Sequence, residues 1–160
     1  MINKKLIKLI VITSIYIVLC VIFSFMSFGP IQLRISEILC LLTIENPLYI
    51  VAIALGCLIS NLILSPLGTI DALIGTLASL IGCGLGYFFK NIKYKDFPIL
   101  SAIIISLSNA LLVSIEMSFI LNNGTIFIYS FLEILVSELF ILIVIGFPIY
   151  KKLLKIERGK

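Results

Sequence analysis

Eleven of the twelve Lys and Arg residues fall in three short patches, at residues 4–8, 90–95 and 151–160, and long apolar stretches separate them. Few architectures are open to a chain patterned in this way. Basic loops stay on the cytoplasmic side of a bilayer, so the patches predict an N-terminus, one interior loop and a C-terminus on the same inner face, with an even number of crossings. Arg34 is the exception. It falls on the outer side next to Glu37, while Asp71, Glu116, Glu133 and Glu138 fall in the outer half or near the middle of their segments.

Composition points the same way: 61% of residues are hydrophobic, 12% are charged and the mean hydropathy is +1.27. The runs 6–25 and 98–121 reach or exceed the roughly 20 residues needed to cross the hydrocarbon. One membrane domain over residues 1–160 is expected, multi-pass in the plasma membrane. The net charge of +4 is sparse and juxtamembrane, which suits anionic lipid headgroups rather than nucleic acid. The first apolar run follows Lys4, Lys5 and Lys8 as a signal peptide would, but it is longer than a signal core and lacks a small-residue cleavage site. It is therefore expected to be retained as a helix. Cys20, Cys40, Cys57 and Cys83 are scattered singly and the chain has no His, so neither a metal site nor a disulfide framework is indicated, and the cysteines read as small packing residues. No cofactor is expected.

Breakers and charge patches divide the chain into an all-α membrane bundle of six helices, one of them short, with both termini cytoplasmic. The expected helices cover about 6–27, 34–44, 47–64, 69–90, 98–121 and 126–150. Gly29 and Pro30 end the first. The second is too short to span alone, so it is either tilted or packed inside the bundle. Ala52, Gly56 and Ser60 form a small-residue stripe on the third helix, and Gly75, Ala78, Gly82 and Gly86 another on the fourth; such stripes let helices approach closely.

Charges inside a bilayer are costly, about 2.5–3.5 kcal/mol at a helix centre on insertion scales, so each acid there needs a partner or a polar cavity. Asn109 and Glu116 lie seven apart on one helical face, continued inward by Ser101 and Ser108. Glu133 and Ser137 share a face, whereas Glu138 is turned away from Glu133, lies deeper and is the better ligand candidate. Arg34 with Glu37 reads either as an interfacial ion pair or as part of a ligand site. Asp71 is either a helix-capping acid or a contact, and Asn109, Glu116 and Glu138 form interhelical hydrogen bonds or a binding cavity.

The run 28–37, with Arg34, Ser36 and Glu37, joined to Gly56, Asn61, Ser65, Pro66, Asp71 and Gly75, resembles the QueT family of queuosine-precursor transporters. So do Asn109, Ala110 and Glu116, and Ser137, Glu138 and Gly146. The resemblance covers nearly the whole chain and is most specific in its first two blocks. It implies the substrate-binding S component of an energy-coupling factor (ECF) transporter, importing queuine, preQ1 or preQ0 from the outside. It further implies a membrane coupling subunit and a pair of ATPase subunits as partners, with the chain itself not an enzyme. The implied substrate site draws on Arg34, Glu37, Asn61, Asp71, Asn109, Glu116 and Glu138. S components commonly dock through a small-residue motif in helix 1; here Ser14 is the candidate, helped by the Ala52, Gly56, Ser60 stripe.

A carboxylate is the natural bidentate acceptor for the N–H edge of a 7-deazaguanine, which suits Glu138 or Glu116. Asn109 suits the ring carbonyl, and Phe28, Tyr129 or Phe131 would stack on the ring. No GxxxxGK[ST] loop occurs in these residues. Two other readings stay open: a stand-alone proton- or ion-coupled transporter, and an S component for another vitamin or purine.

Overall fold

The computed structural model describes residues 4–27 and 32–158. The Gly29–Pro30 break and Phe28 therefore lie outside the described residues. Among the described residues the fold is helical, with a lone antiparallel bridge between Tyr94 and Phe97. Helix α1 covers Lys4–Ile22, and after a turn at Phe23 a single further turn, α2, covers Ser24–Ser27. A 3-10 helix over Ile35–Leu39 runs directly into α3, Cys40–Thr43. Residues 36–43 are all buried, so this short segment is packed inside the fold.

Helix α4, Leu48–Leu64, begins at Pro47, and the Asn46 side chain accepts from the Leu48 amide at 3.1 Å. A fixed φ and a side-chain acceptor there both favour a helix start. Gly68, at φ +54°, makes the turn into α5, Thr69–Phe88. That backbone region is cheap only for glycine. Lys95 and Asp96, both at positive φ, close the tight turn between Tyr94 and Phe97 before Pro98 leads into α6, Ile99–Ile120. Asn122, at φ +47°, and Asn123, whose side chain accepts from the Thr125 amide, turn the chain into α7, Gly124–Leu139.

The last helix does not stop where the basic tail begins. A π-helical segment, Phe140–Ile145, follows α7, and α8 continues over Gly146–Arg158, past the expected end at 150. Lysine is a good helix former, so a run of positive charge ends an apolar span without ending the helix.

Among the described residues four helical stretches are long and apolar enough to cross a membrane: Lys4–Ile22, Thr69–Phe88, Ile99–Ile120 and Gly124–Lys152; Leu48–Leu64 is apolar but shorter. Their outward faces carry Leu6, Ile10, Val18, Ile63, Leu73, Phe119 and Val136, all exposed. Apolar surface on this scale belongs against lipid rather than water. Inside, Tyr16, Leu41, Tyr49, Ile53, Cys83, Ile105 and Leu142 belong to one core, and Ala110, Val113 and Ile134 form a second between α6 and α7.

The small-residue stripes have different neighbours. A Cβ on Gly82 or Gly86 would press on Ile105 of α6, and Ser101 donates to the Gly86 carbonyl at 2.7 Å. A Cβ on Gly56 would come within 2.8 Å of the Tyr16 ring, and Thr13 donates to the Ala52 carbonyl at 3.0 Å. The Ala52, Gly56, Ser60 stripe is therefore buried against α1, which corrects its expected part in docking a partner: a face already filled by this chain's own helix has no room for another.

Candidate functional site

A 3-10 helix eclipses side chains three apart, and this brings Arg34, immediately before it, onto the same side as Glu37. The Glu37 amide donates to the Arg34 carbonyl at 3.0 Å. Glu37 is 1% exposed, and its carboxylate accepts from the Tyr16 hydroxyl at 2.5 Å, the Cys40 thiol at 2.9 Å and the Asn109 amide at 3.3 Å. Side chains from α1, α3 and α6 thus converge on one carboxylate. A buried acid held by several donors is stable in place, so Glu37 ties three elements together.

Arg34 reaches across to α5. Its Nη1 stands 3.7 Å from the point where a Cβ on Gly75 would sit, and its electrostatic neighbours are Asp71, Glu37, Tyr16 and Cys57. Asn61 of α4 occupies the space beside Gly75 as well and donates to the Asp71 carbonyl at 3.0 Å. Asp71 lies in the first turn of α5 but does not cap it with its side chain; its carboxylate accepts from the Ser65 hydroxyl.

Glu116 of α6 faces Asp71 and Arg34. It is 5% exposed, and neither of its carboxylate oxygens has a hydrogen-bond partner. Glu138, at the end of α7, faces Glu37, Arg34, Asn109 and Cys83; it is 4% exposed and its Oε2 has no partner. The structure thus brings together the seven residues singled out from the sequence, Arg34, Glu37, Asn61, Asp71, Asn109, Glu116 and Glu138, around the Arg34 guanidinium. They divide into two acid pairs: Asp71 with Glu116, and Glu37 with Glu138.

Glu133 has a different task. It accepts from the Gln32 amide at 3.2 Å while Ser137 donates to the Gln32 carbonyl at 2.8 Å, clasping the segment ahead of Arg34 to α7. Ser14 is exposed on the outward face of α1. Of the proposed stacking rings, Tyr129 is 76% exposed and does not line the cluster. Phe131 stacks on Phe127 with centroids 6.0 Å apart and packs on the small core beneath α6 and α7.

Sequence reasoning missed Tyr16 and the cysteines. Tyr16 is an ordinary apolar-helix residue until the fold sets its hydroxyl on Glu37. The four cysteines, expected only to fill space, are all buried, and Cys40 donates to Glu37, Cys20 to Ser36 at 3.2 Å, and Cys57 lies 3.5 Å from the Asn61 amide. Thiols are weak donors, and only the tertiary contact reveals that they are used as such. Among the described residues no group of His, Cys, Asp and Glu has the arrangement of a metal site.

Comparison with known proteins adds identity to this geometry. A family model described as QueT transporter matches residues 6–155. A relative from Lactococcus lactis subsp. cremoris (strain MG1363), named Queuosine precursor transporter QueT, is 30% identical over 93 residues, which are 57% of this chain and 53% of that protein. The chain therefore spans about half the length of the relative it matches. No solved structure matches. With long apolar helices and a family match over nearly its whole length, the chain is a multi-pass membrane protein and belongs to the QueT transporter family.

Proposed function

We propose that this protein captures a queuosine precursor, one of queuine, preQ1 or preQ0, on the outer side of the plasma membrane as the S component of an ECF transporter. The observation that carries the reading is the pair Glu116 and Glu138, buried acids with unpartnered oxygens in a chain of a transporter family. An unpaired buried polar group is costly. A ligand that donates hydrogen bonds removes that cost, and the N1–H and amino edge of a 7-deazaguanine is such a donor.

On this reading Glu138, next to Asn109, accepts the ring edge. Arg34, Asn61 and Asp71 form the adjoining wall and Glu37 holds the wall together. The helices make six crossings, the termini and residues 91–96 are cytoplasmic, and the whole chain acts as one membrane domain. ATP hydrolysis belongs to partner ATPase subunits joined through a membrane coupling subunit, with Ser14 on the docking face of α1.

The test is calorimetric titration of the full chain in detergent with queuine, preQ1, preQ0 and guanine. Submicromolar binding of a deazapurine with weaker guanine binding is expected, and E138Q is expected to lose at least about tenfold in affinity, or about 1.4 kcal/mol. Absence of binding to every deazapurine overturns the reading. Because Asp71 and Glu116 face one another, a proton-coupled transporter is the second reading. Uptake into proteoliposomes holding this chain alone, driven by an imposed pH gradient, would favour it; uptake only with the ATPase module present favours the S component.

A further inference from the structure

Where α1 and α4 begin, the surface holds a recess that shares no residue with the acid cluster. Lys4, Lys5 and Lys8 of α1, all exposed, line one side of it, and Asn46, Leu48 and Val51 line the other, around a volume of about 730 Å³. Lys8 follows Lys4 and Lys5 at four and three residues, so their side chains stand one helical turn apart on one face. No acid belongs to this lining among the described residues, and Glu45, beside Asn46 in the chain, accepts from Tyr150 of α8 at 2.6 Å.

Beyond the lysines the same face of α1 continues as Val11, Ile15, Val18 and Ile22. Beyond Leu48 and Val51 the same face of α4 continues as Leu55, Ile59 and Leu62, and every one of these apolar residues is exposed. Steps of three and four residues keep each row on one face. From Leu48 to Leu62 the α4 row runs roughly 21 Å at about 1.5 Å per residue, more than half of a hydrocarbon core about 30 Å thick. The two rows are neighbours, because α1 and α4 meet where Tyr16 lies against Gly56 and Thr13 donates to the Ala52 carbonyl.

A basic recess at the foot of two apolar rows matches a molecule with an anionic head and hydrocarbon chains. A free anion would use the lysines alone. Basic pockets between membrane helices take anionic lipid headgroups, and on the orientation proposed above this end of the fold lies in the cytoplasmic leaflet, whose surface potential is negative. Lysine suits the position, since its stem lies along apolar surface while its ammonium stays at headgroup level. We propose that the recess binds one anionic glycerophospholipid, its phosphate held by Lys4, Lys5 and Lys8 and its acyl chains lying along the α1 and α4 rows. Such a lipid braces the start of α1 against the start of α4, whatever the acid cluster binds.

The experiment uses two probes with identical acyl chains, phosphatidylglycerol, which is anionic, and phosphatidylcholine, which is zwitterionic. Equimolar amounts are added to the full chain in a neutral detergent, and bound lipids are counted by native mass spectrometry. The first lipid bound by the wild type is expected to be phosphatidylglycerol by at least about tenfold. K4Q/K5Q/K8Q should bring that preference toward unity, while K90Q/K93Q/K95Q, which removes the same charge from another loop, should leave it within about twofold of wild type. Loss of N-terminal lysines can also disturb insertion, so V51W serves as a second variant. It fills the recess from an exposed position on α4 and keeps every charge; its preference should fall too, at an unchanged unfolding temperature. Glycerol 3-phosphate, a headgroup without chains, should not displace the bound lipid at equal concentration.

Equal binding of the two lipids by the wild type overturns the site. So does equal loss of preference in the two lysine variants, which would make net charge the whole effect. Displacement by glycerol 3-phosphate would leave an anion site and overturn the lipid. A wild type without preference, joined to loss of co-purification with the coupling subunit in K4Q/K5Q/K8Q, would give the recess to a protein partner and overturn the proposal as well. All of these outcomes leave the deazapurine titration untouched.

Discussion

At Gly75 the absence of one methyl group sets the geometry of the acid cluster. A Cβ there would lie 2.5 Å from the Asn61 amide and 3.2 Å from the Cys57 sulfur, with the Arg34 guanidinium just behind. G75A is expected to push Asn61 off the Asp71 carbonyl, cost about 1–3 kcal/mol as overpacking and weaken ligand binding; thermal unfolding in detergent and titration check both. Gly84, nine residues on in the same helix, has nothing within 4 Å of its absent Cβ. There G84A should be neutral or stabilise by up to about 1 kcal/mol, since alanine is the better helix former; a large loss at both sites would show that the difference in surroundings is not what matters. Y16F is expected to destabilise by about 1.5–3 kcal/mol, because it removes a hydrogen bond to a buried carboxylate while leaving the ring against Gly56. An unfolding temperature unchanged in Y16F would remove Tyr16 from the set of groups that hold Glu37.

Between α7 and α8 the π-helical segment Phe140–Ile145 separates two regions that each have to be aimed. Glu138 and Ser137 face the cluster on one side. On the other, Gly146 lies so close to Leu41 that a Cβ would come within 2.7 Å of its Cδ1, and Tyr150 donates to Glu45 at 2.6 Å and meets Phe97 edge-on with centroids 5.5 Å apart. A π turn takes up one residue more than an α turn, so both ends stay in register. Deleting the exposed Val144 should relax the segment to α-helix with both ends in place. Deleting the equally exposed Val136 should rotate one side by about 100° relative to the other. Size-exclusion profiles and unfolding temperatures of the two deletions are expected to differ in that direction, and equal damage from both would refute the register argument.

Across the whole molecule, the proposed topology is open to direct chemical mapping because all four native cysteines are free and buried, which keeps the labelling background low. N123C is expected to react with a membrane-impermeant thiol reagent from outside the cell, and K93C only after permeabilisation; the reverse pattern would invert the assigned orientation. Much of the architecture was legible in the sequence because a bilayer leaves a chain few choices. Backbone polar groups must be satisfied within helices, and breakers and charge patches mark where the apolar runs start and stop. The site was legible in part for the same reason: Arg34, Glu37, Asp71, Asn109, Glu116 and Glu138 stand out because charged and amide side chains are rare in apolar helices. The sequence by itself therefore determined the helical membrane character and which polar residues stand inside apolar segments. Only the tertiary structure decided their pairing: Glu37 with Tyr16, Cys40 and Asn109, Asp71 facing Glu116, and the Ala52 stripe turned toward α1. Helical period tells which residues share a face but not which neighbour that face meets, and that depends on packing between segments far apart in the chain.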